Sequence, residues 1–143
     1  MFDQPIRSIM EQKKFLTAPP ETTVSNAARL MADRNVGAVL VVADEHLLGI
    51  FTERDAVFRV IAKGRDAQST LLTEVMTAAP KTLEPNKSYG HALLLMQENG
   101  FRHVPVVENG RPVGIISSRN AMDPDLEEFV FEARRREHHR QAK

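Results

Sequence analysis

The chain has 143 residues, 42% of them hydrophobic, and its 19 Lys and Arg balance 19 Asp and Glu. This predicts one compact globular body, and the zero net charge gives no reason to expect a nucleic acid or an anionic membrane as a partner. Because the sequence has no cysteine, disulfides, thiolate zinc sites and a cysteine nucleophile are excluded. The start does not resemble a leader peptide, and the longest apolar run, residues 37 to 43, is too short to span a bilayer. We therefore expect a cytoplasmic protein.

The first half of the chain predicts a helix, a β-hairpin and a second helix. Apolar residues recur at helical spacing over residues 24 to 31, and Asn35 is a helix stop. Two short apolar runs, residues 38 to 42 and 47 to 51, flank an Asp-Glu turn and predict a hairpin. Residues 52 to 55, Thr-Glu-Arg-Asp, form a side-chain capping pattern that opens the second helix.

The same elements return in the second half of the chain. Residues 24 to 56 align with residues 89 to 121 without a gap, at a constant offset of 65. Ten of the 33 aligned pairs are identical, whereas background residue frequencies give about two. Each copy is too small to cover its own sheet. We therefore predict an α/β (α+β) fold of tandem repeats, each a small β-sheet with two packed helices, paired face to face about a pseudo-two-fold axis.

The predicted units are a first repeat at residues 5 to 65, a second at residues 66 to 122, and a charged C-terminal helix or tail at residues 123 to 143. The tail holds six acidic and five basic residues, a balance that argues against a nucleic-acid-binding arm.

Three motifs resemble those of the cystathionine-β-synthase-type (CBS) domain family. Its signature is Gly, two hydrophobic residues, Thr or Ser, two variable residues and Asp. Residues 49 to 55, Gly-Ile-Phe-Thr-Glu-Arg-Asp, match it, and residues 114 to 120, Gly-Ile-Ile-Ser-Ser-Arg-Asn, read as its partner. Residues 101 to 107, Phe-Arg-His-Val-Pro-Val-Val, resemble the family's His/Arg-x-Pro-Val strand. The chain resembles free-standing bacterial signal-transduction members that consist of one such pair, a Bateman module.

The resemblance implies a regulatory module that senses adenosine-containing ligands in clefts between the repeats. Family members bind AMP, ADP, ATP or NAD(H), and sometimes S-adenosylmethionine, so we expect such a nucleotide as a regulatory ligand and no catalytic cofactor. The nucleotide-binding positions carried over to this sequence are Thr17, Val36, Gly37, Ala38, Thr52, Arg54, Asp55, Thr82, Arg102, His103, Pro105, Ser117, Arg119 and Asn120.

The chemistry of a nucleotide suits the first signature. An ionised carboxylate can accept from both hydroxyls of a ribose, so Asp55 fits the diol. Thr52, on the first turn of the same helix, can reach a ribose or α-phosphate oxygen. The backbone of residues 36 to 38 and the strand near Thr17 would then line an adenine slot.

The two clefts are predicted to be unequal. Asn120 stands where the signature has Asp, so the second copy loses a charge-assisted contact to the ribose. Arg102 and His103 stand where the first copy has Gly37 and Ala38, so phosphate-binding side chains come from one copy alone.

Plainer interpretations apply to several of these residues. The Thr52 and Asp55 pair is also an ordinary helix cap. Arg54 and Arg119 could be solvated residues of a first helical turn, and His103 could be a hydrogen-bonded core histidine. An interaction scaffold whose clefts bind nothing and an S-adenosylmethionine sensor are the alternative functions.

We predict no enzyme and no metal site. The sequence has no Gly-x-Gly-x-x-Gly, P-loop, Gly-x-Ser-x-Gly or His-Glu-x-x-His motif. Since His138 and His139 are adjacent, they lack the i, i+4 spacing that places two ligands on one helix face.

The resemblance also implies a homodimer, since family members commonly join two pairs into a disc. Candidate residues for the packed face include Val57, Val60 and Ile61. As a regulatory module, the chain is expected to have a protein partner whose activity it regulates.

Overall fold

The computed structural model describes residues 2 to 10, 15 to 119 and 132 to 137. The elements in chain order are a 3₁₀ turn (Ile6–Ser8), β1 (Leu16–Ala18), α1 (Val24–Arg34), β2 (Ala38–Ala43), β3 (His46–Thr52), α2 (Glu53–Asp55), a π-helix (Ala56–Ile61) that continues α2, α3 (Leu72–Val75), β4 (Thr77–Ala78), α4 (Tyr89–Asn99), β5 (His103–Glu108) and β6 (Arg111–Ser117). The predicted C-terminal helix lies mostly outside the described residues, and its part at residues 132 to 137 is helical.

Matching caps begin and end the long helix of each repeat. The hydroxyl groups of Thr23 and Ser88 each accept a backbone N–H three residues along the chain, at 3.2 Å, and so open α1 and α4. The two helices end at Asn35 and Gly100, which have left-handed backbones with φ of 54° and 70°. The offset of 65 relates both pairs, so the local structure repeats with the sequence.

The strands follow the same repetition. The antiparallel pairs β2–β3 and β5–β6 each contain a register shift, after Val41 in the first and after Val106 in the second. In the first sheet, of order β1-β2-β3-β4, β1 runs parallel to β2 and Ala18 pairs with Val41. In the second, Leu83 forms a parallel bridge with Val106, at the equivalent position.

The two sheets bury one face against each other, as predicted. Ala38 and Leu40 of β2 and Ile50 of β3 form one buried cluster with Ile115 of β6. The alternate residues point the other way: Val39 and its neighbours on that face join the helices of the first repeat in a second cluster. This alternation places apolar residues on both faces of β2, which explains its continuous apolar run.

The first turn of each repeat packs against the other repeat. Leu72 and Val75 of α3 lie in the core of the first repeat, whereas Ile6 lies in the core of the second. The backbone contacts match, because the N–H of Leu72 donates to the carbonyl of Thr22 and the N–H of Ile6 donates to that of Lys87, both at 2.8 Å. Each small core is thus closed by a turn from the opposite copy, and the packed unit differs from the repeat in the sequence.

One candidate for a dimer face proves to be buried. Val60 is 1% exposed and belongs to the core of the first repeat, because one side of the π-helix has to cover that core. Val57 and Ile61 are 49% and 71% exposed, and Phe58 is 54% exposed beside them. The apolar residues left on this surface are therefore Val57, Phe58 and Ile61. Among the described residues, no helix is long and apolar enough to cross a membrane.

Candidate functional site

A cleft of about 810 Å³ lies where the two repeats meet. Its lining residues fall within three stretches of chain: residues 50 to 59, residues 77 to 81, and residues 99 to 103. The first stretch comes from the first repeat and contains all but the first residue of its signature motif. The other two come from the second half of the sequence, so the cleft is built across the repeats.

Thr52 and Asp55 form a reciprocal cap at the wall of this cleft. Oδ2 of Asp55 accepts the backbone N–H of Thr52 at 2.9 Å and its hydroxyl at 3.2 Å. The backbone N–H of Asp55 donates to Oγ1 of Thr52 at 3.3 Å. The capping interpretation is therefore correct, and both residues also line the cleft. The cap fixes the carboxylate of Asp55, which is 8% exposed, in a single orientation.

The other oxygen of Asp55 faces an arginine. Oδ1 lies 3.5 Å from Nε of Arg59, one helical turn along the chain. The same guanidinium donates through Nη1 to the carbonyls of Val75 and Met76, at 3.2 Å and 3.1 Å. The side chain of Arg59 thus joins the helix in the cleft wall to the chain that leads to β4.

The cleft carries more positive than negative side chains. Its lining includes four arginine and lysine side chains and two carboxylates. These are Arg54, Arg59, Lys81 and Arg102 against Glu53 and Asp55. Burial lowers the pKa of His103 below the ordinary histidine value of 6.5; Glu53 opposes this shift and Arg102 adds to it. The imidazole is therefore mostly neutral near pH 7, and the excess of guanidinium and ammonium groups favours an anionic ligand.

Aromatic and aliphatic side chains supply the apolar part of the lining. The apolar lining residues are two aromatic residues, Phe58 and Phe101, together with Ile50, Val57 and Pro80. The guanidinium carbon of Arg54 lies 4.6 Å from the centroid of the Phe58 ring, which is a cation–π contact. An apolar wall beside a cluster of cations is suited to a ligand with a flat ring and an acidic group.

Five of the residues carried over from the family line this cleft together: Thr52, Arg54, Asp55, Arg102 and His103. The other eight described residues do not line it: Thr17, Val36, Gly37, Ala38, Thr82, Pro105, Ser117 and Arg119. Asn120 lies outside the described residues. The expected adenine slot, which grouped Thr17 and residues 36 to 38 with Asp55, therefore differs from this cleft. Residues 37 and 38 still adjoin the signature motif through the backbone, where Ala38 pairs with Thr52. The crossing of the repeats, however, brings residues 99 to 103 of the second copy to the cleft side of the motif.

Gly37 borders the cleft without lining it. Its carbonyl accepts the N–H of Glu53 at 3.0 Å. A Cβ at this position would lie 2.8 Å from Oε1 of Glu53 and 3.5 Å from Nε2 of His103. The absence of a side chain at position 37 lets these two polar groups come close together.

Two other carried-over residues have structural partners in the strands. Pro105 is buried, and its carbonyl accepts the N–H of Leu83 at 3.1 Å. The carbonyl of Ser117 accepts the hydroxyl of the buried Tyr89 at 2.9 Å. These contacts give both residues a structural role within the second repeat.

Sequence reasoning missed several lining residues. Arg59 stands four positions after Asp55, so the i, i+4 rule for helices could have indicated the pair. Lys81 and Thr77 gave no such signal, because this segment reaches the cleft through the pairing of β4 with β3, in which Thr77 pairs with Ile50. Among the described residues, no group of three or more His, Asp or Glu side chains could hold a metal ion.

Comparisons with known proteins agree with this architecture. The CBS domain family model matches residues 6–62 and 72–124. The Bacillus subtilis CBS domain-containing protein YhcV is 40% identical over 101 residues, which span 71% of each protein. The meiotically up-regulated gene 70 protein of Schizosaccharomyces pombe is 40% identical over 100 residues, and the Arabidopsis thaliana protein CBSCBSPB3 is 42% identical over 104. The aligned part spans only 14% and 19% of the length of those two relatives.

Solved structures have the same fold. A conserved protein from Pyrococcus horikoshii superposes with a TM-score of 0.81 at 30% identity, over 87% of this chain and 94% of that one. The CBS domain protein PAE2072 from Pyrobaculum aerophilum, complexed with AMP, superposes with a TM-score of 0.74 at 23% identity, over 81% of this chain and 88% of that one. The chain therefore belongs to the CBS domain family and is a regulatory module built from a pair of CBS repeats.

Proposed function

We propose that this module senses an adenosine nucleotide that carries phosphate, namely AMP, ADP, ATP or NAD(H), in the cleft beside Asp55. One observation carries the proposal: the capped Thr52 and Asp55 pair shares a cleft of about 810 Å³ with an excess of cations and an aromatic wall. We further propose that the module acts in the cytoplasm, on a protein partner still to be identified.

Asp55 supports binding of the ribose. Its Oδ2 is held by the cap, while Oδ1 has Arg59 at ion-pair distance. Each carboxylate oxygen can accept two hydrogen bonds. Oδ2 already accepts two from Thr52, so Oδ1 is the oxygen that retains capacity for a sugar hydroxyl. Because the cap fixes the carboxylate before any ligand arrives, little side-chain entropy remains to be lost on binding.

The cations support binding of the phosphates. Arg54 and Arg102 approach the cleft from different repeats, and Lys81 comes from the chain that follows β4. Guanidinium groups bind phosphate through paired, charge-assisted hydrogen bonds, whereas lysine acts as a point charge. A phosphate placed among these side chains would be held from both repeats at once.

The aromatic wall supports binding of the base. Phe58 and Phe101 provide flat apolar surface, on which a purine ring can stack. The volume of about 810 Å³ lies in the usual range for small-molecule sites and is sufficient for a nucleotide.

Two structural neighbours show that this fold can hold adenosine compounds. The structure of PAE2072 is a complex with AMP, and that of the CBS domain pair of protein MJ0100 is a complex with 5′-methylthioadenosine and S-adenosyl-L-methionine. Both are 23% identical to this chain, so they support the fold and leave the ligand to the residues of the cleft. The excess of cations disfavours S-adenosylmethionine, because its sulfonium group is itself positive.

Thermal unfolding of the full chain with AMP, ADP, ATP, NAD(H), S-adenosylmethionine and GTP tests the proposal. A ligand at 100 times its dissociation constant stabilises the folded state by about 2.7 kcal/mol, which is a clear rise of the midpoint. We expect at least one phosphate-bearing adenine compound to raise the midpoint. If none does, the clefts are empty and the scaffold function is favoured, and if S-adenosylmethionine alone does, the ligand class is wrong.

Mass spectrometry of the compounds released when the purified protein is denatured provides an independent test. We expect an adenine nucleotide in the supernatant, at a ratio to protein that falls after extensive dialysis. Turnover of any added nucleotide would instead point to an enzyme.

A further inference from the structure

Two side-chain pairs stand next to each other on the helical wall of the cleft. Arg54 packs on Phe58, and Asp55 faces Arg59, each pair being separated by four residues. The first pair stays within the helix. The second continues beyond it, because the guanidinium of Arg59 also donates to two backbone carbonyls of another segment.

Those carbonyls belong to the exchanged turn, that is, to α3 and the residue after it, which come from the second repeat and pack on the core of the first. Val75 is the last residue of α3, and Met76 follows it. α3 comes from the second half of the sequence but is buried against the first repeat through Leu72 and Val75. It does not line the cleft, which the chain reaches again only from Thr77 onwards. A change at Arg59 would therefore act on a part of the interface between the repeats that a cleft ligand does not touch.

The helix that carries Arg59 has an unusual geometry. Residues Ala56–Ile61 form a π-helix, in which the N–H of Ala62 donates to the carbonyl of Val57 at 2.8 Å. The N–H of Arg65 makes the same five-residue connection to Val60, at 3.0 Å. π-helical turns are rare and are found frequently at functional sites. Here the turn begins directly after Asp55, at the wall of the cleft.

We propose that Arg59 couples occupancy of the cleft to the exchanged turn α3, an inference that rests on the proposed function. The cap already orients the carboxylate, and a ribose hydroxyl that donates to Oδ1 of Asp55 covers the oxygen that Arg59 faces, which shields this ion pair from water and strengthens it. The guanidinium is then held in place, and its bonds to Val75 and Met76 keep α3 docked on the first repeat. Arg59 is a positioning residue in this scheme, and its effect on α3 depends on the charge of Asp55.

Hydrogen exchange of the amides of residues 73 to 76, in α3 and directly after it, is the measurement that distinguishes this role from simple support. We expect saturating AMP or ATP to slow their exchange by about threefold or more in the wild-type chain. In Arg59→Gln, nucleotide still binds, with affinity reduced by no more than about tenfold, but the ligand-dependent slowing at α3 is lost. If the slowing persists in Arg59→Gln, or is absent in the wild type with nucleotide bound, the coupling is refuted.

Arg65→Gln is the matched control. Arg65 also links the first repeat to α3, through an ion pair of 2.9 Å with Glu74, but it neither lines the cleft nor contacts Asp55. We expect this variant to exchange faster at α3 without ligand and still to show the ligand-dependent slowing. Identical behaviour of the two variants would mean that Arg59 merely supports the turn.

A second arm needs no ligand. Asp55→Asn keeps an oxygen for the cap and removes the charge that faces Arg59. We expect Asp55→Asn alone to speed hydrogen exchange at α3. When it is added to Arg59→Gln, we expect no further increase, so that the two substitutions form a non-additive double-mutant cycle. Additive effects overturn the coupling. If the cycle is non-additive and no nucleotide binds, the proposed function fails while the connection through Arg59 stands.

Discussion

Replacing Asp55 should weaken nucleotide binding more than it weakens the fold. In the structure its carboxylate is nine-tenths buried and accepts two hydrogen bonds from Thr52 through Oδ2. Asp55→Ala removes those bonds, the charge facing Arg59 and the acceptor proposed for the ribose. A hydrogen bond to a charged group is worth roughly 1.5–3 kcal/mol, so losing the ribose contact should cost about tenfold or more in affinity.

The loss of the cap is the competing effect, and its size is known. Removing a capping side chain costs about 1 kcal/mol of stability, which lowers the unfolding midpoint without ligand. Asp55→Asn separates the two contributions, because an amide oxygen can still accept from Thr52 while the charge is lost. We expect near wild-type melting without ligand for Asp55→Asn, together with an affinity clearly below that of the wild type.

Titration calorimetry with AMP and ATP, with ligand-free melting alongside, measures both effects. Asp66→Ala is the matched control, since that carboxylate accepts the N–H of Gln68 at 2.9 Å in an exposed turn and does not line the cleft. It should lower stability and leave affinity unchanged. Asn120→Ala, in the second signature, should cost less affinity than Asp55→Ala, because a neutral amide makes weaker hydrogen bonds. Equal losses, or a larger loss from Asn120→Ala, would refute the assignment of the stronger site to Asp55.

Three further predictions concern acid stability, assembly and the tail. Because burial lowers the pKa of His103 in the folded state, the unfolded state takes up a proton first as the pH drops, and the free energy of unfolding should fall below about pH 6.5. Chemical denaturation at pH 7.5 and 5.5 should show a smaller fall for His103→Gln than for the wild type. An equal fall in both would contradict this. A homodimer should form through the surface that includes Ile61, which is 71% exposed, and Ile61→Glu should give monomers in light scattering. A wild-type monomer at micromolar concentration would reject the predicted dimer. Truncation after Met122 should leave nucleotide affinity within about a few-fold by calorimetry, since the tail's charges nearly balance, whereas a hundredfold loss with the fold intact would place the tail at the cleft.

The motif residues of the candidate site could be found from the sequence because their positions are set locally. Thr52 and Asp55 lie in one helical turn, and their spacing predicts both the cap and a shared wall. Arg102 and His103 are the polar counterparts, at an offset of 65, of Gly37 and Ala38. That they line one cleft with Asp55 depends on how the two repeats cross. The sequence therefore indicated side chains that share this cleft, and it grouped with them the backbone of residues 36 to 38, which does not line it.

The duplicated pattern by itself determined the helices, the hairpins and the burial of the two sheets against each other. These features follow from short-range periodicity and capping, which an offset of 65 copies from one half to the other. Only the tertiary structure decided that Ile6 and Leu72 exchange places between the cores, that Val60 points inward, and that Lys81 reaches the cleft. The physical reason is that each repeat is too small to close its own core. Which segment covers the open side of each core depends on packing between residues that are far apart in the sequence, and no local pattern in the chain predicts such packing.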